Sequence, residues 1–367
     1  MSEQDATPPW KAEAEAHKRA MPLQRLTGNG MDYADVVELY RLVDDGTPWS
    51  DAAERLGDVN RARAEDAVDA GHRATAISWY RAAAACYRVG QVPLPDDAEQ
   101  KRRMYRKLID DYGAAGALED PPVEHVEIPW GSGALCGWLL RPRGVPAPAT
   151  VIIMGGFDGW REEYHVGATY LRDRGIAALL VDGPGQGETR LFQGITMDHD
   201  VDAAFSAIID YLIADGRVGS TVAIWGNSMG GFLAALVASR DPRVAACVVN
   251  GGTNRPAEIL DRFHRFTAKI QPLLGIDDPE AATAAMNEYV LTPEDLQRLT
   301  SPLLVLHGTP DRVFLVENAR ALFDAAGAED KTFLEWPDGD HCIYNHSHEK
   351  HVRVADWLAD RLAPDAH

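Results

Sequence analysis

Apolar residues recur at helical spacing through the first third of the chain and then, past about residue 120, gather into short unbroken runs. From about Ala34 to Tyr112 the helical period dominates. "YADVVELYRLV" stops at an Asp-Asp-Gly turn, and "WSDAAERLG" follows with Ser50 placed to cap it. "ATAISWYRAAAACYRVG" is alanine-rich, with Gly90 expected to close it. "PDDAEQKRRMYRKLIDDYG" begins acidic and carries its basic residues later, the order a helix dipole prefers. No similarity recurs at a fixed period, which argues against a tetratricopeptide array. The run "KRRMYRK" reads as one solvated helix face.

After "LEDPPVE" the period changes. "VEHVEIPW" and "ALCGWLLRP" read as two strands around a Gly-Ser-Gly hairpin. "ATVIIMGG", "IAALLVDGPG", "TVAIWGNS" and "VAACVVNGG", then "PLLVLHG" and "KTFLEW", alternate with helical stretches. Fully apolar strands alternating with helices predict a mostly parallel eight-stranded sheet with helices on both faces, its antiparallel pair at the start. The rhythm breaks between Thr253 and Thr300, where a helical, Phe- and Leu-rich stretch stands in place of the next strand. It reads as a lid inserted over the carboxyl ends of the strands, where open α/β sheets bind ligands. The expected organisation is a helical domain over 1–120, a core over 121–252, the lid over 253–300 and the rest of the core over 301–367.

Composition narrows the partners. The 367 residues hold 46% apolar and 25% charged side chains, as a globular protein does. Fifty-six acidic against 36 basic residues give a formal charge of −20, a field that opposes nucleic acids and anionic membrane surfaces and leaves a small molecule as the expected partner. Cys86, Cys136, Cys247 and Cys342 lie far apart with no C-x-x-C pair, so neither a disulfide framework nor a zinc ribbon is expected. The first twenty residues lack the apolar core of a secretory signal, and no run is long enough to cross a bilayer. The expected location is the cytoplasm.

The chemistry gathers around "TVAIWGNSMGGFLAALVASR". Gly226-Asn227-Ser228-Met229-Gly230 fits G-x-S-x-G between a strand and a helix, where glycines let the chain fold back sharply and present the serine. A serine is a weak nucleophile and needs a base, which needs an orienting acid. "PLLVLHGTPDRV" supplies Asp311 past the next-to-last strand, and "KTFLEWPDGDHCIYNH" supplies His341 past the last. His346, His348 and His351 are neighbours of His341, but no nearby cysteine pair completes a tetrahedral metal set. Asp338 and Asp340 lie on the histidine's own loop, a poor position from which to reach behind its ring. An oxyanion hole needs two backbone N–H groups: one from Met229, the other from "MGGFDGWREEYH", at Phe157 or failing that Gly156. Asp158 beside that turn is a candidate for handling a proton or a polar substrate group. "VDGPGQGET" lacks the spacing of a dinucleotide fingerprint and reads as a turn near the pocket wall, so no cofactor is implied.

With these residues the sequence resembles the α/β-hydrolase superfamily over about Val123 to Leu362. The long helical segment before the core, "GGFDGWREE", "GNSMGG" and "DGDHC" are similar to a narrower group. It holds the FrsA-like esterases, the 2,6-dihydroxypseudooxynicotine hydrolases of nicotine breakdown and the fungal polyketide-shortening hydrolases. The resemblance implies that Ser228, Asp311 and His341 form the triad, that residues 1–120 help cover the site, and that the protein is a homodimer. It also implies cleavage of a carbon–carbon bond next to a carbonyl, as in β-diketones or aryl ketones, with Glu258 or Asp261 as candidate acids from the lid. The same triad serves a carboxylesterase or an acyltransferase or cyclase, and a non-catalytic binding protein on this fold is the remaining alternative.

Overall fold

Helix-forming and strand-forming sequence separate along the chain, and the computed structural model, which describes residues 9–157 and 159–362, divides into two units, Met1–Pro122 and Val123–His367.

The first unit is helical: α1 (Pro9–Ala20), α2 (Leu23–Gly28), α3 (Tyr33–Asp44), α4 (Trp49–Asp69), α5 (Arg73–Gln91) and α6 (Glu99–Ala117). The α1 and α2 helices precede the point where a helical period becomes legible, because α1 buries little more than Ala14 and so carries almost no apolar stripe. Ser50 does not cap α4. It sits inside the first turn and donates its hydroxyl to the Gly90 carbonyl at 2.7 Å. Neither Gly57 nor Gly90 ends a helix. A methyl group on Gly57 would stand 2.5 Å from the Tyr87 ring, and one on Gly90 would stand 2.8 Å from Ala53 Cβ. Both glycines let α4 and α5 close on each other. The basic run of α6 is likewise not one solvated face. Lys101 is buried, donating to the Leu94 carbonyl at 2.9 Å, while Arg103 and Lys107 pair with Glu54 of α4 at 2.9 and 3.0 Å.

The second unit holds the sheet. Its strands are β1 (Glu124–Trp130), β2 (Gly133–Leu140), β3 (Thr150–Met154), β4 (Ala177–Asp182), β5 (Val222–Asn227), β6 (Val244–Asn250), β7 (Leu303–Gly308) and β8 (Lys331–Trp336). They lie in the order β1-β2-β4-β3-β5-β6-β7-β8, with β1/β2 and β2/β4 antiparallel and the other pairings parallel. This is the mostly parallel, eight-stranded sheet expected from the apolar runs. All residues of β3, β4, β5 and β7 are buried, and each Val, Leu or Ile so covered contributes about 1.5–3 kcal/mol.

The helices of this unit are α7 (His165–Arg172), α8 (Gly187–Leu191), α9 (Val201–Ala214), α10 (Met229–Arg240), α11 (Thr267–Leu274), α12 (Pro279–Asn287), α13 (Pro293–Gln297), α14 (Val316–Ala325) and α15 (Ser347–Leu362). Met229 to Ser239 of α10 are all buried, so this helix is apolar all round, as an interior helix must be. Residues 253–300 form the insertion: 3-10 turns at Pro256–Asp261 and His264–Phe266, then α11, α12 and α13. Ile270 and Leu273 of α11 join the core, and the Leu273 carbonyl accepts from Met197 N at 2.8 Å.

Candidate active site

The turn between β5 and α10 is as tight as its glycines suggest. Ser228 has φ 61° and ψ −129°, a left-handed conformation that a side chain normally avoids. A methyl group on Gly226 would fall 1.8 Å from the Gly230 carbonyl oxygen, and one on Gly230 would fall 2.5 Å from the Gly155 oxygen. The strained serine is held by its own backbone: its N–H donates to the Asn250 carbonyl at 2.9 Å, and its carbonyl accepts from Gly231 N at 2.8 Å.

This corner brings Ser228 to the histidine. Ser228 Oγ lies 2.9 Å from His341 Nε2, and His341 Nδ1 lies 2.8 Å from Asp311 Oδ2. A carboxylate only accepts, so Nδ1 carries the proton and Nε2 is left to accept from the serine hydroxyl. Asp311 is buried, and its other oxygen accepts from Val313 N at 2.7 Å and Phe314 N at 3.3 Å. Burial alone would raise the Asp311 pKa, but the charges of His341 and His307 and these hydrogen bonds outweigh it and hold the carboxyl below its usual range. For His341 burial pulls the pKa down, and the Asp311 carboxylate overrides it, raising the imidazole well above 6.5. Burial lowers the His307 pKa, against the pull of Asp311; its Nε2 donates to the Phe314 carbonyl at 3.1 Å, behind the acid.

The neighbouring titratable groups are engaged elsewhere. His346 pairs with Asp338 at 3.0 Å, and His348 meets the Tyr170 hydroxyl at 2.9 Å. His351 packs edge-on to Trp225. Asp340 accepts from the Tyr344 and Asn345 amides and so shapes the histidine loop.

Gly156 lies against the elbow, where a methyl group would stand 2.7 Å from Met229 N and 3.0 Å from Ser228 Cβ. Phe157 follows it, buried and edge-on to Phe266 of the insertion at 6.0 Å between centroids. Asp158 lies outside the described residues. Glu258 is buried in the 3-10 turn Pro256–Asp261, where it accepts from Asn318 Nδ2 at 2.6 Å and pairs with Arg262 at 3.2 Å. Arg262 in turn donates to the Arg312 and Val313 carbonyls at 2.9 and 2.8 Å, so this pair fastens the insertion to the loop that carries Asp311. Asp261 pairs with Arg255 at 2.6 Å.

Other polar residues around the site left no local pattern to find. Gln186, from "VDGPGQGET", is buried and donates to the Gly155 carbonyl at 2.7 Å while accepting from Gly183 N at 3.0 Å. That turn therefore supports the Gly-Gly turn after β3. Arg161 is wholly buried and pairs with Glu162 at 2.8 Å and with Glu188, with Asp182 3.7 Å away. His125, Cys136 and Glu188 bring potential metal-ligand atoms within 4.8 Å of one another, but Glu188 already serves Arg161 and, at 2.9 Å, His125.

The pattern of the prolyl oligopeptidase family matches residues 163–364, which include the elbow, the acid and the histidine. The chain belongs to the prolyl oligopeptidase family of α/β-hydrolases. It is similar to a 2,6-dihydropseudooxynicotine hydrolase of Paenarthrobacter nicotinovorans, 28% identical over 345 residues that cover 92% of this chain and 91% of that one. The crystal structure of a 2,6-dihydroxy-pseudo-oxynicotine hydrolase superposes with a TM-score of 0.85 at 28% identity, covering 93% of this chain and 96% of that one. An α/β-hydrolase of an Acremonium species is 31% identical over 260 residues, 62% of this chain and 52% of that protein. This prolyl oligopeptidase-family chain is thus an α/β-hydrolase enzyme, and its likeness to the first relative extends through the helical unit as well as the sheet.

Proposed function

We propose that the protein hydrolyses a bond next to a carbonyl in a mostly apolar, aromatic or polyketide-like small molecule, most readily a carbon–carbon bond of a β-diketone or aryl ketone. The observation that carries the reading is the chain Ser228 Oγ–His341 Nε2, His341 Nδ1–Asp311, at 2.9 and 2.8 Å. His341 takes the hydroxyl proton as Ser228 Oγ bonds to the carbonyl carbon, and Asp311 steadies the imidazolium. The oxyanion is received by the Met229 and Phe157 amides, Met229 standing at the positive end of α10. Collapse breaks the C–C bond, and the departing carbanion, delocalised into its own carbonyl or phenol ring, takes the proton from His341. Water, deprotonated by the same imidazole, then cleaves the acyl-serine to release a carboxylic acid. Phe157, Phe266 and Phe263 in successive contact, with Phe314 edge-on to His341 at 5.9 Å, favour an aromatic substrate. The similar hydrolase of Paenarthrobacter nicotinovorans is named for 2,6-dihydropseudooxynicotine, a small molecule.

A specific observation favours a second reading, carboxyl-ester hydrolysis. Glu258 Oε2 is tied to Asn318 and Arg262, which anchors this carboxylate to the loop that carries Asp311 and not to the reacting centre, and an alkoxide leaving group, unlike a carbanion, gains little from a second acid beside His341. The two readings separate on an aryl ester and an aryl 1,3-diketone of similar size, with products followed by mass spectrometry and Ser228→Ala as control. Diketone cleavage that the variant loses supports carbon–carbon hydrolysis. Ester cleavage alone makes the protein a carboxylesterase.

A further inference from the structure

The elbow, the oxyanion turn and the histidine loop leave the sheet at β5, β3 and β8, and a buried chain of side-chain hydrogen bonds runs beneath them. Asn227, the last residue of β5, donates from Nδ2 to the carbonyl of Met154, the last residue of β3, at 3.3 Å. Asn250, the last residue of β6, donates from Nδ2 to Asn227 Oδ1 at 2.8 Å and to the Cys342 carbonyl at 3.3 Å. Lys350 of α15 donates to that same Cys342 carbonyl at 3.0 Å. None of the three side chains is more than 4% exposed.

The orientation of the Asn250 amide follows from its partners. Both neighbours of Nδ2 are acceptors, so only the NH2 group can face them, and both its protons are used. The backbone of Asn250 works in the same direction: its carbonyl accepts from Ser228 N at 2.9 Å and stands 3.6 Å from Cys342 Sγ. One residue thus bonds to the nucleophile's own amide and to the carbonyl of the residue that follows the base. The histidine loop needs such a hold. Cys342 and Ile343 both have φ 57°, a left-handed pair without glycine, and this conformation persists only where the surroundings impose it.

We propose that Asn250 is a positioning residue of the triad, fixing the separation of Ser228 and His341 by holding the Cys342 carbonyl and the Asn227 side chain in one buried amide bridge, with Lys350 as the second clamp. The inference rests on the serine-nucleophile reading above. A reacting group displaced by about 1 Å costs roughly 10²-fold in rate. Asn250→Leu keeps the number and branching of the side-chain heavy atoms and removes the donors, leaving Asn227 Oδ1 and the shared carbonyl short of a partner.

The test compares wild type, Asn250→Leu, Lys350→Met and the double variant in two assays. One is the second-order rate of Ser228 labelling by a fluorophosphonate; the other is kcat and KM on an aryl ester. Folding is monitored by far-ultraviolet circular dichroism. Folded Asn250→Leu is expected to label about 10²-fold more slowly, with kcat reduced alike and KM within about threefold. The double variant is expected to lose less than the product of the single losses, since both side chains act through one carbonyl. A residue that only stabilised the fold would lower Tm and leave the labelling rate of the folded protein unchanged, which would overturn the proposal. If Asn250→Leu does not fold, Lys350→Met decides: labelling slowed about tenfold at unchanged KM supports the bridge, and a wild-type rate overturns it. Wild type that resists the phosphonate overturns the serine reading and this inference together; wild type and folded Asn250→Leu labelled equally fast overturn the inference alone.

Discussion

Replacing Gly226 with alanine puts the greatest stress on the elbow. The added methyl would stand 1.8 Å from the Gly230 carbonyl oxygen, 2.2 Å from its carbon and 2.6 Å from Gly231 N. Ordinary contact lies at about 3.5 Å, so the chain must open by well over an ångström. The obstacle is the first turn of α10 and not the tip of a rotatable side chain, so whatever moves carries Ser228 with it. Overpacking of this kind costs about 1–3 kcal/mol, and a nucleophile displaced by about 1 Å loses roughly 10²-fold in rate. Gly230→Ala, with its closest approach 2.5 Å to the Gly155 oxygen, is expected to fall between Gly226→Ala and wild type. Gly216, where a methyl group meets nothing within 4 Å, serves as control and is expected to stay within about 0.5 kcal/mol and at full activity. Thermal melts followed by circular dichroism and the rate of aryl-ester cleavage read the two effects separately. Gly226→Ala with wild-type Tm and rate would refute the steric account of the elbow.

The acid limb of kcat/KM should have its midpoint above pH 6.5, because Asp311 raises the His341 pKa and the base works only when neutral; Asp311→Asn is expected to move that limb down and reduce kcat by roughly 10³–10⁴-fold. The same pair links stability to pH. Asp311, with its pKa depressed, stabilises the fold above about 3.8 and loses this as pH falls through the folded value. His341, with its pKa raised, stabilises below about 6.5 and loses this as pH rises through the folded value. The Tm difference between wild type and Asp311→Asn should therefore be largest between those limits. Ser228→Gly, which relieves the left-handed strain, is expected to melt above Ser228→Ala by an amount on the order of 1 kcal/mol, both variants being inactive. Arg161→Met removes the buried guanidinium from among the Glu162, Asp182 and Glu188 carboxylates and is expected to cost about 3–5 kcal/mol in urea denaturation.

Where chemistry and local pattern coincide, the meeting of Ser228, His341 and Asp311 was legible in advance. G-x-S-x-G needs a strand before it and a helix after it, and the apolar run "TVAIW" and the helical "FLAALVASR" supply both within twenty residues. Asp311 and His341 were legible because they follow strands β7 and β8 at the positions that chain order requires. Helix ends were read less well. Ser50 and Gly90 have the composition of caps, yet each serves the contact between α4 and α5, which only the packed pair reveals. Lys101 in the basic run is buried and donates to a carbonyl seven residues before it, outside its own helix. Gln186 and Asn250 act across strands that are neighbours in the sheet and distant in sequence, so their partners could not be named beforehand. A polar residue closing an apolar strand, as in "VAACVVN", was the one available signal.

The measurement that tests the central claim most directly is the intact mass of the protein quenched in acid during turnover of an aryl ester. The account predicts one acyl group per chain, carried on the peptide that contains Ser228 and absent from Ser228→Ala. Turnover with no acyl-protein, or an acyl group on Cys342, whose sulfur lies 3.6 Å from His341 Nε2, would contradict it.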